Sequence, residues 1–262
     1  MNASAHAILA APTRAALLGE SRAVFDALAL GPRLLRHVPR SAAPRDVIVL
    51  PGFGTDDRST WALRHVLGRA GHRVEPWGLG RNLAGLDIKH DFADLPAWWR
   101  SLQAAPERYR REGGVAMLCQ RMRERVAARP ADAPPLVMVG WSLGGIVARE
   151  VARELPERVA LVVTLGTPVV GGPKYTAGAA ALRGRGLDLD WIERGVTLRN
   201  AEPIEVPVVA VVSPSDAIVA ASAAFDRHTA RIRHVEIDAP HLSLCFRRDV
   251  WAVVLDAIER GG

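Results

Sequence analysis

The sequence predicts an α/β fold built on a mainly parallel sheet of about six strands, with helices on both faces. Short apolar runs rich in β-branched residues alternate with amphipathic stretches from residue 46 onward, as in sheets whose parallel strands are joined by crossover helices. The 262 residues are 49% hydrophobic and 24% charged, which suits one large domain with a substantial core.

Four of the apolar runs are continuous, as expected of strands buried on both faces, and two are weaker. The strong runs are 47–50, 136–139, 161–165 and 208–212, and the weak ones are 72–77 and 232–237. Apolar and polar residues alternate in the last run, which predicts an edge strand. Amphipathic spacing predicts helices at 60–70, 114–128, 144–154 and 248–260.

Three further segments lie outside this alternation. Residues 1–43 are predicted to form an N-terminal helical segment packed on a main domain of residues 44–262, and Gly31-Pro32 predicts a break in that segment. Residues 83–112 and 168–200 have the size of insertions that become a helical cap or lid.

Charge and composition argue against several classes of partner. The formal net charge is +6, and almost all of the positive charge is arginine scattered among acids, which is typical of solvated helix faces rather than of a nucleic-acid surface. The chain has no apolar run of 18 residues and no basic, apolar start, so we expect no transmembrane helix and no secretory signal. The expected location is cytoplasmic, or secreted if a signal has been removed.

Cys119 and Cys245 both lie in apolar surroundings, "AMLCQRM" and "LSLCFRR". Buried free cysteine packs as a small hydrophobic residue, so we expect free thiols. Spacing alone leaves a disulfide open, because it does not report the distance between the two Cα atoms.

The segment Gly140-Trp141-Ser142-Leu143-Gly144 has the pattern G-x-S-x-G. An apolar strand ends at Gly140 and a helical pattern begins at Leu143, which is the setting of a nucleophile elbow. The sequence therefore predicts Ser142 as a nucleophile. The alternative is a glycine-rich turn with a serine that has no chemical role.

A serine nucleophile needs a base, and the base needs an orienting carboxylate. Asp216 follows the 208–212 run and His241 follows the 232–237 run, so all three side chains are expected at one edge of the sheet. Asp238 is the rival acid, and it is too close to His241 in sequence to reach around the imidazole. Histidines 228 and 234 follow no strand and are poorer bases.

Stabilisation of an oxyanion needs two backbone donors. The N–H of Leu143, directly after the serine, is one candidate. The loop "PGFG" after the first strong strand supplies the other, the N–H of Phe53.

These features resemble the α/β-hydrolase superfamily, on its lipase and carboxylesterase side, over residues 45–262. The resemblance implies Ser142 as nucleophile, His241 as base, Asp216 as orienting acid, and a cofactor-free site. Two departures are visible: Pro51 stands where many relatives have histidine, and the antiparallel strands that open the full fold are missing. The motifs are "LPGFGTDDRSTWALRHVLGRAGHRVEPWGLGRN", "VGWSLGGIVAREVAREL", "VVTLGTPVVGG" and the loops holding Asp216 and His241.

The substrate side is predicted from apolar residues near these motifs. Trp141, Val169, Val170 and Trp191 are the expected contacts with an apolar acyl group. Trp98 and Trp99 could belong either to a cap or to the core.

Acidic and histidine side chains in the first insertion raise one more alternative. Asp87, His90, Asp91 and Asp94 have helical spacing, which predicts a polar helix face or, as the alternative, a metal site. We expect no metal at the site of Ser142, Asp216 and His241 itself.

The expected function is hydrolysis of small-molecule or lipid esters, with transient contact to a lipid interface. Two alternatives stay open: an acyltransferase with the same three side chains, and a non-catalytic binding protein of this fold.

Overall fold

The computed structural model describes residues 9–13, 15–102 and 109–262. Six strands form one sheet in the order β2-β1-β3-β4-β5-β6, and every neighbouring pair is parallel. The strands are β1 (Asp46–Leu50), β2 (Arg73–Pro76), β3 (Leu136–Trp141), β4 (Val159–Leu165), β5 (Val208–Val212) and β6 (Ile232–Glu236). The predicted sheet of about six strands is confirmed, with 232–237 at one edge.

The strand order reverses between β1 and β3. The chain runs outward from β1 to β2, returns to β3 on the other side of β1, and continues to β6. In open parallel sheets, such a reversal leaves a crevice at the carboxyl ends of the two strands, where ligands bind. The loop after β1 and the corner after β3 therefore border this crevice.

The strands are apolar on both sides because helices cover both faces of the sheet. All six residues of β3 are buried, whereas the edge strands β2 and β6 are mostly half-buried or exposed. The helices are α1 (Arg22–Leu28), α2 (Leu30–Leu35), α3 (Trp61–Arg69), α4 (Ala97–Leu102), α5 (Tyr109–Glu112), α6 (Gly114–Ala127), α7 (Leu143–Glu154), α8 (Ala179–Gly184), α9 (Leu189–Asn200), α10 (Ala221–Ala224) and α11 (Arg248–Arg260).

Two apolar clusters fill the space between the sheet and its helices. One joins Val47 and Val49 to α3 and α11, and the other joins Ile48 and Leu50 to α6 and α7. Alternate residues of β1 thus face opposite clusters, as the two-residue period of a strand requires.

The two cysteines lie in different clusters, Cys245 in the first and Cys119 in the second. Both are free thiols and both are buried, as expected from their apolar surroundings. Burial raises the pKa of each thiol well above its ordinary value, so neither side chain is a thiolate at neutral pH.

Among its described residues, the N-terminal segment contains the α-helices α1 and α2, but they meet at Ala29 rather than at Gly31-Pro32. The predicted position of the break was wrong because Pro32 lies in the first turn of α2, where a missing N–H breaks no helical hydrogen bond. Leu30, Leu34 and Val38 pack against the core cluster on the α3 and α11 side. A division of the chain at residue 43 stays a prediction.

The helical spacing of Asp87, His90, Asp91 and Asp94 does not correspond to a helix. Turns occupy residues 84–87, and a 3-10 turn at Phe92–Asp94 is closed by a capping box between Asp91 and Asp94. The helix-face interpretation was therefore wrong. Within the ranges that the structure covers, no group of three or more His, Cys, Asp or Glu side chains is placed to hold a metal ion.

The helices of the described ranges include none that is long and apolar enough to cross a membrane.

Candidate active site

Ser142 lies at the corner between β3 and α7, in a backbone conformation that is unusual for serine. Its φ is 54° and its ψ is −122°. Its N–H donates to the carbonyl of Leu165 at 2.8 Å, and its carbonyl accepts from the N–H of Gly145 and the hydroxyl of Thr167, both at 3.0 Å. These bonds hold the corner, and the serine remains partly exposed.

The glycines of the motif allow α7 to begin directly against the sheet. A Cβ on Gly144 would lie 2.5 Å from the carbonyl oxygen of Leu50, and one on Gly145 would overlap the side chain of Thr167. A Cβ on Gly140 would overlap the backbone of Gly145. The motif therefore depends on close backbone packing, while the positive φ belongs to Ser142 itself.

Asp216 and His241 form a buried hydrogen-bonded pair across two loops. The imidazole Nδ1 and the carboxylate Oδ2 are 2.6 Å apart, and the other carboxylate oxygen accepts from the N–H groups of Ile218 and Val219 at 2.9 and 2.7 Å. Because the carboxylate accepts the Nδ1 proton, the neutral ring has a free lone pair on Nε2 and can act as a base.

The rival residues have other partners. Asp238 is largely exposed and accepts hydrogen bonds from Ser215 and Arg22. His234 stacks on Phe225 at 3.7 Å between ring centroids. The structure thus pairs His241 with Asp216 and not with Asp238, and a catalytic role for Asp216 stays a prediction.

Trp141 connects the serine corner to the histidine. Its indole N–H donates to the carbonyl of His241 at 3.2 Å, and the two rings lie 5.6 Å apart between centroids. The hydroxyl of Ser142 makes no hydrogen bond to the imidazole within the described ranges. Nucleophile–base hydrogen bonds are often long in ligand-free sites and shorten when substrate binds.

The loop after β1 passes directly beside the serine. A Cβ on Gly52 would lie 3.2 Å from the Cβ of Ser142. In the parts of the chain that the structure describes, the N–H groups of Phe53 and Leu143 donate no hydrogen bond. Their role as oxyanion donors stays a prediction.

Asn82 supports this loop and was missed in the sequence. Its side chain is fully buried and donates to the carbonyl of Pro51 at 2.8 Å, while its backbone carbonyl accepts from Gly54 at 2.7 Å. It therefore ties the loop after β1 to the segment that follows β2. Its partners are backbone groups, which leave no trace in a side-chain pattern.

Glu20 was also missed in the sequence. Its buried carboxylate accepts hydrogen bonds from the backbone of both loops that carry the Asp216–His241 pair.

The four predicted substrate contacts have different surroundings. Trp141 and Val169 are buried, and Val170 is half-buried with its N–H bonded to the carbonyl of Ala223. Trp191 packs edge-on against Trp99 with ring centroids 5.3 Å apart. Contact of these side chains with a substrate stays a prediction.

No protein-family model matches the chain. A curated relative, a pimeloyl-[acyl-carrier protein] methyl ester esterase of Salmonella heidelberg, is 33% identical over 97 residues, which are 37% of this chain and 33% of that protein. The chain thus matches about a third of the length of its curated relatives.

Solved structures match over most of the chain. A bacterial membrane phospholipase A has a TM-score of 0.56 at 14% identity, covering 93% of this chain and 92% of that one. A monoacylglycerol lipase of Paleococcus ferrophilus has a TM-score of 0.52 at 14% identity, covering 84% and 96%. An esterase of Pyrococcus furiosus has a TM-score of 0.50 at 16% identity, covering 84% and 85%. At these identities the likeness shows the fold.

Proposed function

We propose, with the α/β-hydrolase fold of this chain as the premise, that it is a serine hydrolase of carboxylic esters with apolar acyl groups. The observation that supports this most directly is the 2.6 Å hydrogen bond between Asp216 and His241, next to a serine at a strained strand-to-helix corner. The curated relative is named as a methyl ester esterase, and the solved structures include named lipases and esterases.

The proposed reaction has two halves. The hydroxyl oxygen of Ser142 attacks the ester carbonyl carbon while His241 Nε2 takes the proton, and the N–H groups of Phe53 and Leu143 bind the oxyanion. Collapse of this intermediate breaks the bond to the alcohol, which leaves with the proton from His241. Water then attacks the acyl-enzyme by the same route and releases the acid.

An apolar acyl group is favoured by the side chains at the mouth of the site. Phe53 and Leu242 are 47% and 42% exposed, and they directly follow Gly52 and His241 in the chain. Large apolar side chains kept in water beside a reactive serine are suited to cover an acyl chain.

Contact with an anionic lipid surface is proposed for the N-terminal segment. Leu18, Phe25 and Leu28 are 78%, 71% and 74% exposed. Both acids of residues 15–40, Glu20 and Asp26, are buried, so the exposed charges of this stretch are arginines. Arg22 pairs with the exposed Asp238, but the other exposed charges of this stretch have no acid of the same stretch beside them. Exposed apolar side chains accompanied by arginines are complementary to an anionic bilayer.

The test of the proposed function is turnover of p-nitrophenyl esters of increasing acyl length by the wild-type chain and by Ser142→Ala. We expect the substitution to lower kcat by about 10³-fold or more and to abolish labelling by a fluorophosphonate. Ser41→Ala, at a distant serine whose oxygen accepts from Ala43, is the matched control and should keep wild-type rates.

The outcomes separate the alternatives. Diversion of product to an added alcohol would indicate an acyltransferase. Absence of both turnover and labelling in the wild type would identify a non-catalytic binding protein. Full activity in Ser142→Ala would overturn the proposed nucleophile.

A further inference from the structure

Glu20 belongs to the N-terminal segment, yet its carboxylate reaches the two loops that carry Asp216 and His241. One carboxylate oxygen accepts from the N–H of Ala217 at 3.0 Å and from the N–H of His241 at 2.9 Å. The other accepts from the N–H of Leu242 at 3.0 Å. Some 200 residues of chain separate Glu20 from these partners, so the contact is purely tertiary.

The positions of the three donors connect Glu20 to the Asp216–His241 pair. Ala217 directly follows Asp216, and the other two donors are His241 itself and its neighbour Leu242. Glu20 is only 8% exposed, and within the described ranges no arginine, lysine or histidine forms an ion pair with it. Bonds from three N–H groups offset the cost of burying the charge, and they fix the acid loop and the histidine loop to one rigid group.

We infer that Glu20 is a positioning residue, which holds the acid loop and the histidine loop at the spacing that keeps the imidazole between Asp216 and Ser142. This inference rests on the proposed function of these three residues. A displacement of about 1 Å at a reacting group lowers rates up to about 10²-fold, so one carboxylate that sets the spacing of the two loops has a large effect on turnover.

A different buried carboxylate, that of Asp26, anchors the N-terminal segment. Asp26 in the same segment is equally buried and pairs with Arg33 at 2.6 Å and with Arg247 at 3.8 Å. It makes no hydrogen bond to the acid or histidine loops in the described ranges. Asp26 is therefore a matched control, a buried carboxylate that anchors the segment without contacting the two loops.

The experiment compares Glu20→Ala, Glu20→Gln and Asp26→Asn with the wild type on p-nitrophenyl butyrate. We expect Glu20→Ala to lower kcat by about 10- to 100-fold with KM within about twofold. Glu20→Gln keeps one carbonyl oxygen for Ala217 and His241 but turns an amide N–H toward Leu242. Its kcat should therefore fall between that of the wild type and that of Glu20→Ala. Asp26→Asn should keep a near-wild-type kcat.

Amide hydrogen exchange of the folded variants supplies a readout that does not depend on catalysis. Glu20→Ala should speed exchange in the peptides around 213–219 and 238–244, and Asp26→Asn should not. The inference is overturned if Glu20→Ala and Glu20→Gln leave both exchange and kcat unchanged. It is also overturned if Asp26→Asn lowers kcat and speeds exchange in these peptides as much as Glu20→Ala does. A wild-type chain without ester turnover would instead refute the proposed function, and exchange would still decide whether Glu20 holds the loops.

Discussion

At the scale of single residues, the conformation of Ser142 depends on the absence of a side chain at Gly145. A serine with positive φ is strained by about 1–3 kcal/mol. Three hydrogen bonds to its backbone hold it, and one of them comes from Thr167, whose side chain occupies the space beside Gly145. A Cβ at Gly145 would displace this hydroxyl. The strained conformation of Ser142 and the glycine three residues later are therefore one structural unit.

A buried ion pair between α7 and the loop after α10 leads to a prediction about how stability depends on pH. Arg149 and Asp226 are 2.5 Å apart and almost fully buried. Burial raises the pKa of Asp226, but the charge of Arg149 and hydrogen bonds from Thr229 and His228 outweigh it and hold the pKa at about 2, below its ordinary value of 3.8. Asp226 therefore stabilises the fold above the ordinary pKa, and this contribution is lost as pH falls through about 2.

Asp226→Asn should lower the free energy of unfolding at pH 7 by about 3–5 kcal/mol, because it leaves Arg149 buried without a counter-charge. The difference from the wild type should shrink between pH 4 and pH 2, as the wild-type carboxylate takes up its proton. Urea unfolding across this pH range measures it. Asp256→Asn, in partly exposed pairs with Arg233 and Arg260, should change stability by about 0.5 kcal/mol or less. A constant difference across the range would refute the prediction.

Ser142, Asp216 and His241 could be proposed from the sequence because each lies at or shortly after the end of a strand whose run is visible there. Glu20 and Asn82 were not, since both act on backbone N–H and carbonyl groups of distant loops. Every residue carries such groups, so no pattern of side chains marks the partners. Sequence analysis thus finds residues at strand ends and misses those that hold the loops together.

At the scale of elements, hydrophobic period predicted the strands and the long helices and failed in short polar segments. The runs of β1, β3, β4 and β5 are buried on both faces, so their apolar composition is continuous. The spacing of residues 87–94 fits a helix equally well, and Ile88, Phe92 and Leu95 also recur at helical intervals. These three side chains pack into one apolar cluster from turns instead of from a helix, so periodicity alone did not distinguish the two in this short segment.

The two predicted insertions pack on each other, which is an element-scale property. Trp99 of α4 contacts Trp191 of α9, and Arg199 of α9 lies 4.5 Å from the ring centroid of Trp98. Trp98 and Trp99 thus belong to a small apolar cluster outside the two main clusters. Whether this assembly covers the active site as a cap stays a prediction.

Trp191→Ala should loosen both insertions together, since Trp191 is the aromatic contact between them. We expect a loss of about 1–3 kcal/mol, less than for a fully buried tryptophan because Trp191 is half-buried. Hydrogen exchange should increase in α4 as well as in α9. Trp61→Ala, at a tryptophan that is 44% exposed on α3, is the control and should leave both helices protected. Faster exchange confined to α9 would show that the insertions are independent.

At the scale of the whole molecule, the order of the strands decides where chemistry can occur. The sequence indicated about six parallel strands but not their order, because order depends on pairing between distant segments. The reversal between β1 and β3 places the loop of Phe53 opposite the corner of Ser142. The proposed oxyanion donors come from these two places, so the topology accounts for how segments 90 residues apart in the chain come to lie side by side.

The proposed lipid contact concerns the orientation of the whole molecule. The exposed apolar side chains belong to the same segment as Glu20, whose carboxylate accepts a hydrogen bond from the N–H of Leu242 beside His241. Arg33, Arg247 and Arg248 also line, with Asp249, a surface cavity of about 250 Å³ near this segment. A bilayer touching the segment would therefore lie beside the mouth, where an ester with a long acyl chain could enter.

Sedimentation with vesicles tests this orientation. The wild type should bind vesicles of phosphatidylglycerol more tightly than vesicles of phosphatidylcholine, and salt should weaken the binding because it screens the arginines. A variant combining Leu18→Ser, Phe25→Ser and Leu28→Ser should lose about tenfold or more in affinity, with turnover of soluble esters retained. Leu198→Ser, at a leucine on α9 that is 56% exposed, should bind like the wild type. If the triple variant bound vesicles normally but lost a concentration-dependent dimer, the apolar face would cover a second copy of the chain, and the lipid proposal would be wrong.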